Sequence, residues 1–463
     1  MAQEIGSSSS KKHPVAGHVA IGGMRRSTGG RTSGSGGIIF KCDFEKHVVL
    51  AAFERRGWRR AGEDDDDWDI YWASVHNIRQ LFSPEAGRRL GENRLINHFP
   101  NHYELTRKDL MARNIKRYRK DAGKQQAEVL QQTRSNNTGD ERAGGERAFL
   151  EELPLDWVPT TFALPNDYAL FVEEFRRDPN GTWIAKPTAS AQGRGIFLVS
   201  RLQQVRRWAQ AAQRPAQPGQ QQQVPFRDQY VISRYIDDPL LVGGKKFDLR
   251  LYVLVTSYRP LKAYMYRPGF CRFCVEQYTA DVAELENIFV HLTNVAIQKN
   301  SDDYNEQHGG KWALSHLLLF IESTRGKEAC NRLYSDMEGV VLHTLKAVQP
   351  VIVNDKHCFE LYGFDILIDK NLRPWLLEVN ASPSLATTTE EDRMLKLRLL
   401  NDVLNIVVPP KSVGNSPEDL LGGFDCLVDE AKQRQLEEER REQQWQQAGR
   451  EKRKPNRQSG GWR

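Results

Sequence analysis

The chain has 463 residues, of which 39% are hydrophobic and 9% aromatic, enough for a sizeable core and too many for a chain disordered throughout. Lysine and arginine number 66 against 60 aspartate and glutamate residues, and a net charge of +6 is too small to demand a nucleic-acid partner. No apolar run approaches the roughly 20 residues of a membrane helix, and the start of the chain has no hydrophobic signal segment. Six cysteines are sparse for this length, so we expect a soluble intracellular protein with reduced thiols.

Changes in composition divide the chain into six predicted segments. The tails and the linker are polar or charged, whereas the other segments carry apolar periodicity. In chain order they are a flexible basic Gly/Ser tail (1–37), an N-terminal domain (38–120), a polar linker (121–148), a central domain (149–265), a C-terminal domain (266–412) and a charged tail (413–463). A Gln/Pro-rich stretch at 206–228 interrupts the central domain and is predicted to be a solvated insertion.

Local patterns predict the first elements of the N-terminal domain. Ile38–Phe40 is predicted as a strand, Val48–Phe53 as a helix and Trp68–Val75 as a second short strand. Thr106 followed by Asp109 is typical of a helix start, and the residues after it predict a basic helix.

Alternation of apolar and polar residues predicts further strands in TWIAKP, QYVISRYI and KFDLRLYVLV. Helical periodicity follows over residues 311–347, and the stretch CFELYGFDILIDKNLRPWLLEVN is predicted as a β-hairpin. The charged stretch DEAKQRQLEEERREQQWQQ predicts a solvent-exposed helix near the end of the chain.

The predicted hairpin carries the strongest chemical signal. If residues 370–373 form its loop, Asp365 and Glu378 are directly opposed, with Cβ atoms about 4.5–5.5 Å apart. Two carboxylates this close repel each other unless a cation or a proton lies between them. Asn380 lies two residues beyond Glu378 and hence on the same face. Two carboxylates and an amide oxygen suit Mg²⁺ held partly by substrate phosphates, so we predict a magnesium site here rather than a solvated acidic face.

Two further segments carry weaker signals. Lys186 ends a strand and is followed by Gln192 and Gly193, a glycine-containing loop whose amides can approach an oxyanion closely. By itself, an ordinary hairpin turn explains this loop better. In Lys246–Arg250, three charged residues alternate with apolar ones, which indicates either a functional cleft or an ion-paired edge strand.

Three other patterns do not support a site. Cys271 and Cys274 lack a second cysteine pair at the spacing of a zinc finger. His98 and His102 have the spacing of a helical metal pair, but Pro100 between them argues against that helix. The predicted basic helix has too few aromatic residues to favour nucleic-acid binding.

Nine short motifs in one order resemble the tubulin tyrosine ligase-like family. They are WIAKP, QGRGI, YVISRYI, KFDLRLYVLV, GFCRFC, HLTN, HGGKW, YGFDILID and PWLLEVNASPSL. The similarity spans roughly residues 38–410 and is greatest to the polyglutamylase branch, which acts in cilia. It implies an α/β ATP-grasp fold with an N-terminal α/β lobe and flexible tails, in which ATP lies between two α/β lobes.

The resemblance also implies roles for individual residues. The implied nucleotide contacts are Lys186, Gln192, Gly193, Ser233, Arg234, Tyr235, Ile236, Lys246, Phe247, Asp248, Thr293 and Asn294. Asp365, Glu378 and Asn380 match the family's Mg²⁺ ligands, in agreement with the hairpin argument. Lys186 is also an implied catalytic residue, together with Arg272 and Lys311, which match positions that hold the incoming amino acid.

The implied activity is ATP-dependent addition of free L-glutamate to glutamate side chains in tubulin C-terminal tails on microtubules. The product is an isopeptide bond, formed through an acyl phosphate. Accessory subunits are a further class of partner, and the implied locations are the cytoplasm, the cytoskeleton, and the axoneme and basal body of cilia or flagella. The alternatives are a glycylase or tyrosine ligase of the same fold, or a non-catalytic microtubule-binding scaffold, against which the intact Lys186, Asp365, Glu378 and Asn380 argue.

Overall fold

The computed structural model describes residues 37–62, 65–83, 90–135, 156–188, 193–206, 229–305, 310–387, 389–409 and 420–452. Gln192 lies outside these ranges, as does nearly all of the predicted tail at 1–37 and of the insertion at 206–228. No helix within the described ranges combines the length and the apolar character needed to cross a membrane.

The chain contains both strands and helices throughout the described ranges. The strands are β1 (Ile39–Cys42), β2 (Arg59–Arg60), β3 (Ile70–Trp72), β4 (Leu95–Ile96), β5 (Thr161–Leu164), β6 (Trp183–Pro187), β7 (Phe197–Val199), β8 (Tyr230–Arg234), β9 (Leu241–Val242), β10 (Lys245–Tyr258), β11 (Leu261–Tyr266), β12 (Phe270–Phe273), β13 (Lys311–Ala313), β14 (Glu360–Ile368), β15 (Pro374–Asn380) and β16 (Phe424–Asp429). The helices are α1 (His47–Glu54), α2 (Val75–Leu81), α3 (Tyr103–Thr106), α4 (Lys108–Ser135), α5 (Tyr168–Arg177), α6 (Ile288–His291), α7 (Val295–Gln298), α8 (Leu314–Arg325), α9 (Lys327–Val348), α10 (Glu390–Val407) and α11 (Glu430–Lys452).

Three sheets organise these elements. The first is parallel, with the order β2-β1-β3-β4, and the second is antiparallel, with the order β5-β8-β6-β7. In the central sheet the order is β13-β12-β10-β11-β16, and β14 pairs with both β10 and β15. The predicted α/β fold class is therefore confirmed.

Strand β10 lies at the middle of the central sheet and separates two cores. Its side chains alternate between the two faces of the sheet. Leu249 and Leu251 pack in the core that contains α9, whereas Tyr252 and Leu254 pack in the core that contains α1 and α10. Because β12 and β14 both pair with the first half of β10, Lys246–Arg250 is not an edge strand, which removes that alternative to a functional cleft.

Three predicted elements differ in extent from the observed ones. Helix α4 runs through Ser135, well into the segment predicted as a linker. The predicted helix over 311–347 begins as strand β13 and divides at Gly326, whose φ of 89° ends α8 before α9 starts. Within the predicted charged tail, β16 buries Phe424 and Val428 against the central sheet, so this part of the segment belongs to the core.

Candidate functional site

A cleft of about 1120 Å³, open to solvent, lies between the β5–β8 sheet and the central sheet. Lys186 lines it from the first sheet, Asp365 from the central sheet, and Lys108 of α4 from one side. The predicted site residues that line the cleft are Lys186, Gly193, Ser233, Arg234, Tyr235, Ile236, Lys246, Asp248, Arg272, Thr293, Asn294, Asp365 and Glu378. Phe247, Lys311 and Asn380 are not among its lining residues.

A charged row crosses the central sheet beneath the cleft. Its members, in spatial order, are Lys311, Arg272, Asp248, Arg250, Asp365 and Glu378. Strand register aligns Arg272 with Asp248 on β12 and β10, and aligns Arg250 with Asp365 on β10 and β14. The four middle members are buried. Opposite charges in this row offset part of the free energy that their removal from water costs.

The predicted pairing of the metal-site hairpin is confirmed, although its loop is longer than predicted. Asp365 lies opposite Glu378, as the sequence pattern predicted. The loop, however, comprises residues 369–373, one more than predicted. A β-bulge at Leu377 absorbs the extra residue, and pairing beyond the bulge returns to the predicted register.

Two arginines hold Asp365. Arg250 donates Nε to Oδ1 at 2.6 Å and Nη2 to Oδ2 at 3.1 Å, and Nη2 of Arg272 lies 2.8 Å from Oδ2. Burial by itself raises the pKa of the Asp365 carboxyl, but the two guanidinium groups outweigh burial and hold this pKa well below its usual range. Asp365 is therefore ionised at neutral pH.

Asp365, Glu378 and Asn380 fit a magnesium ion by their chemistry. Nδ2 of Asn380 lies 3.3 Å from Asp365 Oδ2 and 3.4 Å from Glu378 Oε1, so the three side chains meet at one point. Carboxylate and amide oxygens are ligands that Mg²⁺ accepts, with water and phosphate oxygens completing its octahedron. Over the described parts of the chain, no group of three or more His, Cys, Asp and Glu side chains forms a metal site. Asp365, Glu378 and Asn380 would offer such an ion two carboxylates and one amide.

Arg272 is already clasped by a protein carboxylate. Its Nε and Nη2 donate to the two oxygens of Asp248 at 2.7 and 2.6 Å, and Thr293 Oγ1 donates to Asp248 at 2.7 Å. Burial disfavours the charged guanidinium, but Asp248 and Asp365 outweigh burial and raise the Arg272 pKa above its usual range. Nε and Nη2 of Arg272 are therefore occupied by protein carboxylates, and only Nη1 lies outside these contacts.

Lys311 is the strand neighbour of Arg272 but is ion-paired away from the cleft. Its Nζ lies 2.8 Å from Asp392 Oδ2 and 5.1 Å from the centre of the Phe270 ring. Asp392 also pairs with the buried Lys396 at 2.8 Å. A contact between Lys311 and an incoming amino acid, as the family resemblance implies, would compete with Asp392 for the ammonium group.

Lys186 and Gly193 both line the cleft. Burial lowers the pKa of Lys186, and Glu378 opposes that shift. Among the residues that the structure describes, ion pairs at the cleft engage Lys108 and the arginines of the charged row, and none engages Lys186. Gly193 has a φ of 76°, and a Cβ there would collide with the side chain of Ile297. The loop conformation thus requires glycine at this position.

A hydrogen-bonded cluster around Lys246 also lines the cleft. Lys246 Nζ donates to Tyr235 Oη at 2.7 Å and to the His291 carbonyl at 3.0 Å. Burial lowers the pKa of Lys246 to about 8. Burial and Lys246 together lower the pKa of His291 to about 4, so His291 is neutral at pH 7. The side chain of Phe247, which the family resemblance implies as a nucleotide contact, instead packs in the core on the other face of the sheet, against Phe273.

Two cleft residues were missed by sequence reasoning. Nζ of Lys108 lies 3.1 Å from Oε2 of Glu378 and forms an ion pair with it. The sequence did not single out Lys108, because the helix that carries it is basic along much of its length. His291 bonds through Nδ1 to Tyr235 Oη at 2.9 Å, and its place two residues before Thr293 was the only available clue.

Comparison with known proteins agrees with this geometry. Residues 88–416 match the family described as "Tubulin-tyrosine ligase family". A Tetrahymena thermophila protein named "Probable alpha-tubulin polyglutamylase Ttll1" is 48% identical over 408 residues, which cover 86% of this chain and 94% of that protein. A Bos taurus protein named "Probable tubulin polyglutamylase TTLL9" is 43% identical over 84% of this chain and 83% of its own length. The mouse protein named "Tubulin polyglutamylase TTLL5" is 33% identical over 78% of this chain but only 24% of its own length. The chain belongs to the tubulin-tyrosine ligase family.

Proposed function

We propose that the chain is an ATP-dependent tubulin polyglutamylase, which joins glutamate through isopeptide bonds to glutamate side chains in tubulin C-terminal tails. The observation that supports this most is the meeting of Lys186, the Asp365–Glu378 pair and Arg272 in one cleft, in a chain 48% identical to a probable alpha-tubulin polyglutamylase. A carboxylate is a poor electrophile, so joining it to an amine needs activation by ATP.

The proposed nucleotide site lies in this cleft. Lys186 supplies positive charge to the phosphates, and the open backbone at Gly193 lets amide groups approach them. We assign the part of the cleft that Lys246 and Tyr235 line to the adenine base. Asp365, Glu378 and Asn380 would hold Mg²⁺, which when bound neutralises charge on the transferred phosphoryl group.

The proposed reaction has two steps. A γ-carboxylate oxygen of the acceptor attacks the γ-phosphorus of ATP, the bond to the ADP oxygen breaks, and an acyl phosphate forms. The amine of free glutamate then attacks the acyl carbon, phosphate leaves, and the amine loses a proton. Lys186 and Lys108 offset negative charge at the site of the first step. We assign Nη1 of Arg272 to a carboxylate of the free glutamate.

The acceptor is an acidic polypeptide, and the chain offers basic surface beside the cleft. Helix α4 carries Arg113, Lys116, Arg117, Arg119 and Lys120. Basic residues in one stretch raise the local concentration of an acidic partner, more strongly at low ionic strength. We propose that this helix steers tubulin tails toward the cleft, that accessory subunits assist, and that the protein acts on ciliary or flagellar microtubules.

The test is incorporation of labelled amino acids. Purified full-length chain is incubated with microtubules, ATP and Mg²⁺, and with labelled glutamate, glycine or tyrosine in separate reactions. We expect glutamate alone to enter tubulin, and Lys186→Ala to abolish incorporation. Lys370→Ala is the matched control, because Lys370 is exposed and pairs with the surface residue Asp238.

Two results would overturn the proposal. Incorporation of glycine or tyrosine in place of glutamate would assign another amino acid to the same fold. Binding to microtubules without magnesium-dependent ATP binding would indicate a scaffold.

A further inference from the structure

A second cavity lies where the loop after β15 meets the parallel sheet. We call it the hairpin-exit pocket, and it has about 600 Å³ of empty space with an open mouth. Its lining residues are Phe44, Lys46, Val49, Trp72, Asn97, Leu361 and the loop residues 381–385. Most of this lining is apolar, and the volume is large enough for a bulky side chain.

The polar groups inside the pocket already have protein partners. Asn97 accepts from Ala73 N at 2.8 Å and donates to the Ala73 carbonyl at 3.2 Å. Ser382 Oγ lies 3.4 Å from His98 Nε2. Lys46 differs, because it is exposed at the N-terminus of α1 and forms no ion pair with any residue that the structure describes. The pocket thus offers an apolar interior and a cation at its rim.

The pocket is close to the proposed reaction centre along the chain. Ala381, the first residue of its loop, directly follows the proposed metal ligand Asn380. Five residues span at most about 17 Å even when fully extended. Pro383 of this loop also lies next to Gly363, two residues from Asp365 on β14, because a Cβ added at Gly363 would be 2.9 Å from Pro383 Cβ. An extended peptide whose acceptor carboxylate lies at Asp365 and Glu378 can thus place a residue within about five positions of the acceptor at this loop.

We propose that the hairpin-exit pocket binds an apolar side chain of the acceptor polypeptide, while Lys46 pairs with a carboxylate beside that side chain. This inference rests on the proposed function, because it needs an acidic peptide acceptor. Free glutamate has no apolar group of a size to fill these walls. An acidic tail that also carries an aromatic or aliphatic residue offers both features that the pocket recognises.

Synthetic acceptor peptides test the proposal. One series is acidic with a single phenylalanine, placed at each position up to five residues on either side of the acceptor glutamate, and the matched series has alanine instead. At one position relative to the acceptor glutamate, we expect the wild-type chain to have a KM about tenfold lower for the phenylalanine peptide than for the matched alanine peptide. Ser384→Trp, at the exposed mouth of the pocket, should abolish that difference and leave the KM for ATP and for glutamate within twofold.

A charge reversal provides a second, milder test. Lys46→Glu should raise the KM for both peptide series several-fold, more at low salt than at high salt. Lys327→Glu is the matched control, since Lys327 is also exposed but lies at the start of α9, and it should leave both values unchanged.

The outcomes separate this inference from the proposed function. If the wild-type chain adds glutamate but prefers no peptide of the phenylalanine series, or if Ser384→Trp leaves that preference intact, the acceptor pocket is disproved and the ligase activity stands. If Ser384→Trp raises the KM for ATP or glutamate instead, the pocket serves another ligand. If the wild-type chain adds no glutamate to tubulin, the proposed function itself fails.

Discussion

Strand β14 buries two carboxylates on opposite faces of the central sheet, and the two are held in different ways. Glu360 accepts hydrogen bonds from Phe99 N and Tyr362 Oη, both at 3.1 Å, and contacts His98 Nδ1 at 2.9 Å. Asp365 is bound by two guanidinium groups and faces a second carboxylate across the hairpin. Both residues are at most 2% exposed.

Burial therefore does not distinguish a structural carboxylate from a functional one. Glu360 lies in a sealed network whose partners are all supplied by the fold. Asp365 lies at the wall of an open cleft, and its neighbour Glu378 keeps a like charge close to it. A pair of carboxylates at the wall of an open cleft can take up a cationic ligand in addition to its protein partners, whereas a carboxylate sealed in the core has no room for one.

We expect the largest effect on ligase activity from a substitution of Glu378, the carboxylate that faces Asp365 in the cleft. Glu378→Gln keeps the size of the side chain but removes a charge that would face the metal, so we expect ligase activity to fall about 100-fold or more. The ion pair with Lys108 is partly exposed, so the free energy of unfolding should change by no more than about 1 kcal/mol. Magnesium-dependent ATP binding and urea unfolding measure the two quantities. Wild-type turnover in a folded Glu378→Gln chain would remove the metal assignment.

Glu360→Gln tests the sealed hydrogen-bond network on the other face of the sheet. Glutamine cannot accept at both terminal atoms, so one buried donor loses its partner, and we expect the free energy of unfolding to fall by about 1–3 kcal/mol. Activity per folded molecule should stay within twofold of the wild type. A loss of activity at unchanged stability would show that Glu360 takes part in the reaction and would break the comparison.

In the proposed reaction, Arg272 joins the charged row to the amino-acid substrate. Lysine at this position keeps the charge but cannot bridge Asp248 and Asp365 while presenting a further nitrogen to the cleft. We expect Arg272→Lys to raise the KM for glutamate about tenfold and to change ATP affinity much less. Arg267→Lys is the control, because Arg267 is exposed and pairs with Asp425. An unchanged KM for glutamate, even in Arg272→Ala, would make this arginine purely structural.

The smallest expected effect is the pH dependence due to Lys246. Its folded pKa of about 8 lies below the ordinary value of 10.5, so between these values the unfolded chain binds one more proton than the folded chain. Lys246 therefore makes stability rise with pH over this window, while nucleotide affinity should fall several-fold as the ammonium loses its charge. Nucleotide titrations from pH 7 to 9.5, compared with Lys246→Met, isolate this contribution from that of Lys186. If nucleotide affinity depends on pH in the same way in the wild type and in Lys246→Met, the charge of Lys246 does not contribute to that dependence.

Local patterns predicted the hairpin because its two strands and their loop form one continuous stretch. The pairing of Asp365 with Glu378 followed from counting along that stretch, and the bulge at Leu377 corrected an error of one residue in the loop. The coarse α/β fold followed from the same periodicity. The hairpin and the fold class depend on residues that are close together in the sequence, so local sequence patterns were sufficient to predict them.

Contacts between distant residues were less predictable. Arg272 and Asp248 are 24 residues apart, and Lys311 and Asp392 are 81 apart, so no local spacing indicates which carboxylate each cation binds. Strand β16 was missed because its six residues are followed by a long charged helix, and only pairing with β11 makes Phe424 and Val428 core residues.

Transfer of oxygen isotope tests the central claim most directly. An acidic acceptor peptide with ¹⁸O in its γ-carboxylates is incubated with the chain, ATP, Mg²⁺ and glutamate, and the released phosphate is analysed by mass spectrometry. If the acceptor is activated as an acyl phosphate, one carboxylate oxygen leaves with phosphate, and we expect one ¹⁸O atom in phosphate for each glutamate added. Glutamate addition that leaves the phosphate free of ¹⁸O would contradict the proposed mechanism.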